Sequence, residues 1–158
     1  MFSVLALLVP VIFIRPATAR DLDFIANGNV EMALDTEGVM LDPAVLRAGV
    51  LAVVEERVPG RYWVAERDGE VVGQLLITHE WSDWRNRMVW WIQSVYVSPA
   101  SRRLGIFRAL YEHVRSEARA AGAGGLRLYV DNTNLPAQRV YAALGMNGGH
   151  YRVFEDMF

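Results

Sequence analysis

Cysteine is absent from the 158-residue chain. That removes disulfide scaffolds, thiolate metal sites and cysteine nucleophiles together, and suits a reducing compartment. Lysine is absent too, since all sixteen basic residues are arginine, so a lysine-containing phosphate loop is excluded. No Gly-x-Gly-x-x-Gly and no Gly-x-Ser-x-Gly occurs, which sets aside the dinucleotide fingerprint and the serine-hydrolase elbow. The three histidines, His79, His113 and His150, lie far apart without paired ligand spacing, and no metal is expected.

Long apolar runs are also missing. Residues 1–14 are almost wholly apolar, but that is too short for a membrane span. Ala17-Thr18-Ala19 has the small-x-small look of a signal-peptidase site. Against secretion, no positive charge precedes the run, Arg15 and Pro16 intrude before the site, and cleavage would remove Val11-Ile12-Phe13-Ile14, which reads as a first strand. The expectation is a cytoplasmic protein with an apolar extension over residues 1–10 and a single domain over 11–158.

What is present suffices for one core, because 53% of residues are hydrophobic. Charge is unevenly spread. Asp21, Asp23, Glu31, Asp35, Glu37 and Asp42 form an acidic stretch with no base, while residues 98–152 carry eight arginines against Glu112, Glu117 and Asp131. A basic half suits a polyphosphate and an acidic lip suits a cation, although solvated helix faces explain single residues equally well. Nucleic acid is not an expected partner, since that would want a broader basic stripe with interleaved aromatics.

Period and punctuation give the element order. Residues 11–15 read as a strand ending at Pro16. An imperfect helical pattern through Leu22, Ile25, Ala26, Met32 and Ala33 is interrupted near Asn27-Gly28-Asn29. Asp42-Pro43 caps a second helix that stops at Pro59-Gly60. Runs 62–66 and 71–78 flank Asp68-Gly69, a hairpin turn; a polar loop, 79–87, leads to the longest strand, 88–98. Leu104, Phe107, Leu110, Tyr111, Val114, Ala118 and Ala121 mark one helix face, ended at Gly122. A strand over 126–130 follows, parallel to its predecessor because a helix intervenes. A last helix, 135–144, ends at Gly145, and one or two strands are expected in the tail, 146–157.

A helix that starts after a strand exposes unpaired amides and the positive end of its dipole. The junction here is Val95-Tyr96-Val97-Ser98-Pro99-Ala100-Ser101-Arg102-Arg103-Leu104-Gly105-Ile106-Phe107-Arg108, whose arginines and glycine favour a phosphate. This segment resembles the acetyl-CoA motif of the GCN5-related N-acetyltransferases. Asn132-Thr133-Asn134-Leu135-Pro136-Ala137-Gln138-Arg139-Val140-Tyr141-Ala142-Ala143-Leu144-Gly145-Met146 resembles their downstream motif. The resemblance covers roughly residues 11–155. It implies an α/β (mixed α+β) fold: a mixed, mostly antiparallel sheet of about six to seven strands, with a splayed parallel pair, flanked by about four helices.

The resemblance also implies roles. Val95, Tyr96 and Val97 would offer backbone to the pantetheine arm of acetyl-CoA, and the amides of Arg103, Leu104, Gly105, Ile106, Phe107 and Arg108, beside Arg102, would hold the diphosphate. Phe107 departs from the family pattern, which has a small residue there. Tyr141 resembles the general acid that protonates the departing thiolate; its alternative is a core tyrosine. Asn134 resembles a pantetheine ligand, or caps its helix.

Only a neutral amine attacks a thioester, so an acceptor ammonium must lose a proton. Many family members use a carboxylate on the long strand, where this chain has Gln93, which could orient a water or the acceptor. Glu80 is then the first candidate for the base, ahead of Asp83, His79 and Glu31, and the alternative is a water chain with no single base. Trp81, Trp84, Trp90 and Trp91 concentrate near that strand; either they pack the core, or Trp81, Trp84 and Trp91, with Glu31 and Asp83, wall an amine site by cation–π and charge attraction. The resulting expectation is acetyl transfer to a primary amine of a small molecule or peptide. The alternative is a non-catalytic acyl-CoA-binding module, and a homodimer is compatible with the resemblance.

Overall fold

The computed structural model describes residues 11–158, so the expected extension over 1–10 lies outside the described residues. The chain divides into two compact units, one ending at Leu128 and one running from Tyr129 to Phe158. The first contains β1 (Ile12–Pro16), α1 (Leu22–Glu37), α2 (Pro43–Val54), β2 (Arg61–Arg67), β3 (Glu70–Ser82), β4 (Arg87–Val97), α3 (Ile106–Ala120) and β5 (Leu126–Leu128). The second contains α4 (Leu135–Ala143). The strands make one sheet in the order β1-β2-β3-β4-β5, antiparallel except for the parallel β4–β5 pair.

This is the expected mixed α/β class with four helices but five strands among the described residues, not six or seven. The tail accounts for the difference: Val153 and Phe154, where a further strand was expected, are 55% and 92% exposed and carry no ladder. No described helix is long and apolar enough to cross a membrane.

Strand alternation divides the core between the two faces of the sheet. Tyr62 and Val64 of β2 pack with Leu22, Ile25 and Ala26 of α1 and Val50 of α2. The alternate residues Trp63 and Ala65 lie on the other face, where Trp63 meets His113 of α3 edge-on at 4.5 Å. Leu110 and Val114 of α3 are fully buried. Gly73 of β3 permits this approach, because a Cβ there would stand 2.8 Å from Ile106 Cγ2. Asp68 and Gly69 join β2 to β3 with φ of 55° and 83°, as a tight hairpin turn requires.

Two segments differ from their sequence reading. β3 runs on through residues expected to form a polar loop, with His79, Glu80, Trp81 and Ser82 opposite Trp90, Val89, Met88 and Arg87; their polarity masked an alternating pattern in which one face is exposed. α1 is continuous through Asn27-Gly28-Asn29. Asn29 is buried there, accepting from Gln74 Nε2 at 2.7 Å and donating to the Tyr62 hydroxyl at 3.2 Å. Gly28 faces the ring of Tyr96. What looked like a helix break is a site of close packing.

A buried ion pair holds the entry to α1. Asp21, 4% exposed, accepts from Arg15 at 2.8 and 2.9 Å and from the Thr18 amide at 2.7 Å. Burial alone would raise the Asp21 carboxyl, but these donors hold it below the usual range. Arg15 also reaches Glu66 at 2.6 Å, tying β1 to β2.

In an open helix, replacing glycine by alanine gains about 1 kcal/mol. At Gly28 a Cβ would lie 2.5 Å from Tyr96 Cδ1, so Gly28→Ala is expected to destabilise by about 1–3 kcal/mol through overpacking. Urea denaturation should show a lower midpoint at unchanged slope; a raised midpoint would refute the packing assignment.

Candidate active site

The site begins with an irregularity in β4. Leu76 faces Ser94 while Ile77 faces Ile92, so Gln93 is an extra residue on β4. Such a bulge bends its strand and sharpens its twist. The parallel ladder stops at the same place, consisting of Trp90, Trp91 and Ile92 opposite Leu126, Arg127 and Leu128. β4 continues through residues 93–97 past the last β5 partner. Val95 and Val97 lie in this stretch, and among the described residues no strand pairs with its backbone edge on that side. An extended ligand arm with amides of its own fits such an edge.

The strand leads directly into a candidate anion site. A second bulge places Val72 as the extra residue of β3, and its carbonyl takes the Ser98 amide at 2.9 Å. The chain then turns through Arg103 and Gly105, whose φ values are 61° and 81°. The Ala109 amide bonds the Gly105 carbonyl at 3.0 Å as α3 begins, so the amides of Ile106, Phe107 and Arg108 have no acceptor within the helix. No acid occupies the first turn. Arg103 and Arg108 are exposed beside it, while Phe107 is half-buried and tilts toward Tyr111 at 6.2 Å. Its side chain therefore does not turn wholly into the core. Free amides, the helix dipole and two guanidiniums fit a diphosphate.

Tyr96 anchors this end from below. Its hydroxyl donates to Glu31 Oε2 at 2.5 Å, and burial together with that carboxylate pushes the phenol up to about 12. Arg102 donates to the Val97 carbonyl at 3.2 Å and lies 3.9 Å from Asp35. Asp23 pairs with Arg47. Much of the acidic stretch expected to attract a cation, Glu31 included, is thus engaged within the protein.

On the α1 face of the sheet, beyond the bulge, several anticipated residues converge. Gln93 Nε2 donates to Thr78 Oγ1 at 2.9 Å, which leaves the Gln93 carbonyl oxygen to accept from a ligand. Trp91 Nε1 donates to Glu80 Oε2 at 2.5 Å, and Arg127 to Glu80 Oε1 at 2.8 Å. The Arg127 guanidinium carbon also lies 5.8 Å from the Trp91 ring centroid. Arg127 escaped the sequence reading, although a charge in the middle of Leu126-Arg127-Leu128 was the available signal. His79 and Trp81 belong to the opposite face by alternation, where His79 meets Trp90 edge-on at 5.1 Å. Burial and Arg61 hold the His79 imidazolium below its ordinary range. Asp83 and Trp84 sit in the β3–β4 turn, with Trp84 89% exposed and the Asp83 carboxylate taking the Trp84 amide at 2.8 Å. Glu80, Gln93 and Trp91 are therefore together; Trp81, Asp83 and Trp84 do not join them.

Asn134 and Tyr141 belong to the second unit. Asn134 Oδ1 accepts from the Ala137 amide at 3.1 Å, capping α4. Tyr141, on α4, is half-buried, and burial raises its phenol, so it stays protonated at neutral pH. Among the described residues, no group of three His, Asp or Glu side chains could hold a metal ion.

Comparison with known proteins gives a consistent result. The model of the acetyltransferase (GNAT) family matches residues 34–146. The phosphinothricin N-acetyltransferase of Streptomyces viridochromogenes is 32% identical over 84% of this chain and 72% of its own length. The streptothricin acetyltransferase of Streptomyces lavendulae is 37% identical over 49% of this chain, but only 39% of its length is covered. Among solved structures, a possible acetyltransferase from Clostridium difficile 630 superposes with a TM-score of 0.85 and 40% identity, over 93% of this chain and 97% of that one. The aminoglycoside N-acetyltransferase AAC(6')-Iy, solved with CoA, shares the fold at a TM-score of 0.77 and 15% identity, over 94% and 95% of the two chains.

The cap at Asn134 yields a direct expectation. Asn134→Ala should cost α4 about 0.5–2 kcal/mol and Asn134→Asp very little, read as faster amide hydrogen exchange over residues 135–143 in the alanine variant alone. Equal exchange in both variants would remove the capping role.

Proposed function

The chain belongs to the acetyltransferase (GNAT) family, and we propose that it transfers acetyl from acetyl-CoA to a primary amine of a small molecule or peptide. The observation that carries this reading is a single stretch of chain: the β4 bulge, the unpaired edge of residues 93–97 and the open amides of α3 follow one another without interruption. Together they offer an extended arm and a diphosphate what each needs. The names of the phosphinothricin and streptothricin relatives support a small-molecule acceptor.

In this proposal the backbone of Val95, Tyr96 and Val97 holds the pantetheine arm, and the amides of residues 103–108 with Arg102, Arg103 and Arg108 hold the diphosphate. Bound acetyl-CoA supplies the thioester carbonyl that a neutral amine attacks. Backbone amides next to the bulge stabilise the charge that develops on the carbonyl oxygen. Gln93, fixed by Thr78, accepts a hydrogen bond from the amine and orients it. Tyr141 donates its phenolic proton to the leaving thiolate, and the proton that the acylated nitrogen sheds returns through water to the tyrosinate. The family resemblance carries the Tyr141 role, and the raised phenol is compatible with it. We further propose one catalytic domain over residues 11–158.

Gln93 also sustains the second reading, a module that binds acyl-CoA without turning it over, because a glutamine cannot serve as a base. Release of free CoA on a panel of primary amines supports the enzyme; tight CoA binding with no release on any amine supports the module. In the enzyme, Tyr141→Phe should lower kcat by roughly 10²–10⁴-fold, the range for loss of a general acid, while the Kd for CoA changes little. Unchanged kcat would remove Tyr141 from the reaction.

A further inference from the structure

Glu80 is the carboxylate that sequence reasoning selects as the base, and its surroundings point elsewhere. Each of its oxygens already holds a donor, Trp91 Nε1 on one and the Arg127 guanidinium on the other. The three residues come from three successive strands. Trp91 of β4 faces Arg127 of β5 in register, and Glu80 of β3 lies two residues beyond Thr78, the partner of Trp91. The side chains thus bridge β3, β4 and β5 on one face.

The location gives the bridge its importance. β5 is held to β4 by three register pairs and, at its entry, by the Gly124 amide on the Met88 carbonyl at 2.7 Å, and a parallel ladder is slightly less stable per residue than an antiparallel one. It ends at Ile92, one residue before the bulge. Without a side-chain tie, little fixes how far β5 stands from β4 where the pairing stops. The Arg127–Glu80 pair is partly exposed, with side chains 31% and 43% accessible, so its contribution to global stability is small. Its effect is local. Arg127 also lies over Trp91, which pins the indole ring in one orientation.

We infer that Arg127, Glu80 and Trp91 form a clamp that sets the β4–β5 separation at the bulge, and that Glu80 is a positioning residue and not the base. Each Glu80 oxygen keeps a second lone pair, but a proton taken there would neutralise the carboxylate and weaken both the Arg127 and Trp91 bonds in every turnover, loosening the tie between β3 and β5. The acceptor ammonium instead loses its proton to solvent water before attack. The part concerning the base rests on the acetyltransferase reading; the clamp itself does not.

Four variants of the full chain test this: Glu80→Gln, Glu80→Ala, Arg127→Met and the milder Arg127→Lys. Glu80→Gln keeps an acceptor for only one of the two donors, so it should raise the amine KM part of the way toward the Glu80→Ala value, with kcat retained within about tenfold and an unaltered pH–rate profile. Glu80→Ala and Arg127→Met should both raise KM for the amine by about tenfold, a loss of uniform binding, with Arg127→Lys between them and the wild type. A base at Glu80 would give the opposite pattern: a loss of about 10²–10⁴-fold in kcat for Glu80→Gln together with the acid limb of the profile, and little effect of Arg127→Met. That pattern would overturn the positioning role.

A readout independent of activity separates this from failure of the acetyltransferase reading. The Trp91 indole N–H resonance, identified by its loss in Trp91→Phe, should move in both Glu80→Ala and Arg127→Met. If the wild-type protein releases no CoA on any amine, the resonance still tests the clamp. A resonance that stays in place in both variants refutes it.

Discussion

The extra residue at position 93 is the constraint on which the rest of the arrangement hangs. A regular β4 would keep its register with β3 and could continue pairing with β5 to the end of the strand. Instead the ladder to β5 stops at Ile92 and the bulge follows at once. Residues 93–97 thereby keep an open edge while remaining paired to β3 on the other side. The opening is thus supported by a full strand and does not depend on a flexible loop.

Packing on both sides holds that strand in place. Beneath it, Asn29 donates to the buried Tyr62 hydroxyl and in turn accepts from Gln74. Burial raises the Tyr62 phenol, and the neighbouring Asn29 and Ser94 side chains partly offset the rise. Tyr96 is seated on Gly28 and tied to Glu31. On the other face, Gly73 lets Ile106 come close to the sheet, which brings the first turn of α3 to the end of β4. Two glycines and a buried polar chain therefore position backbone groups, the groups to which the proposal assigns CoA. A side chain such as Phe107 can vary there because its amide, and not its ring, is presented.

Much of this was legible in the sequence where local chemistry is decisive. Asp68-Gly69 specified a turn, Asp42-Pro43 a cap, and the face of α3 its helix; each reappears within a residue or two. The turn into α3 that leaves its first amides open was legible because a glycine and two arginines follow a strand. The failures share one cause, which is that tertiary contacts reversed the local signal. Gly28 and Asn29 looked like a break and are buried packing residues of a continuous helix. His79 to Ser82 looked like a loop because one face of that strand is exposed. The bulge at Gln93 leaves no mark in a single sequence, and the charge within Leu126-Arg127-Leu128 marks Arg127 without naming Glu80 as its partner, since register and cross-strand partners are set by the neighbouring strands.

The central claim is that the open edge of β4 beyond the bulge is where CoA lies. Amide hydrogen exchange with and without CoA tests it most directly. The account predicts that CoA slows exchange at residues 93–97 and at the first turn of α3, with β1 and β2 unaffected. Binding of CoA that leaves residues 93–97 exchanging at their free rate, or that protects some other segment of the sheet, would contradict it.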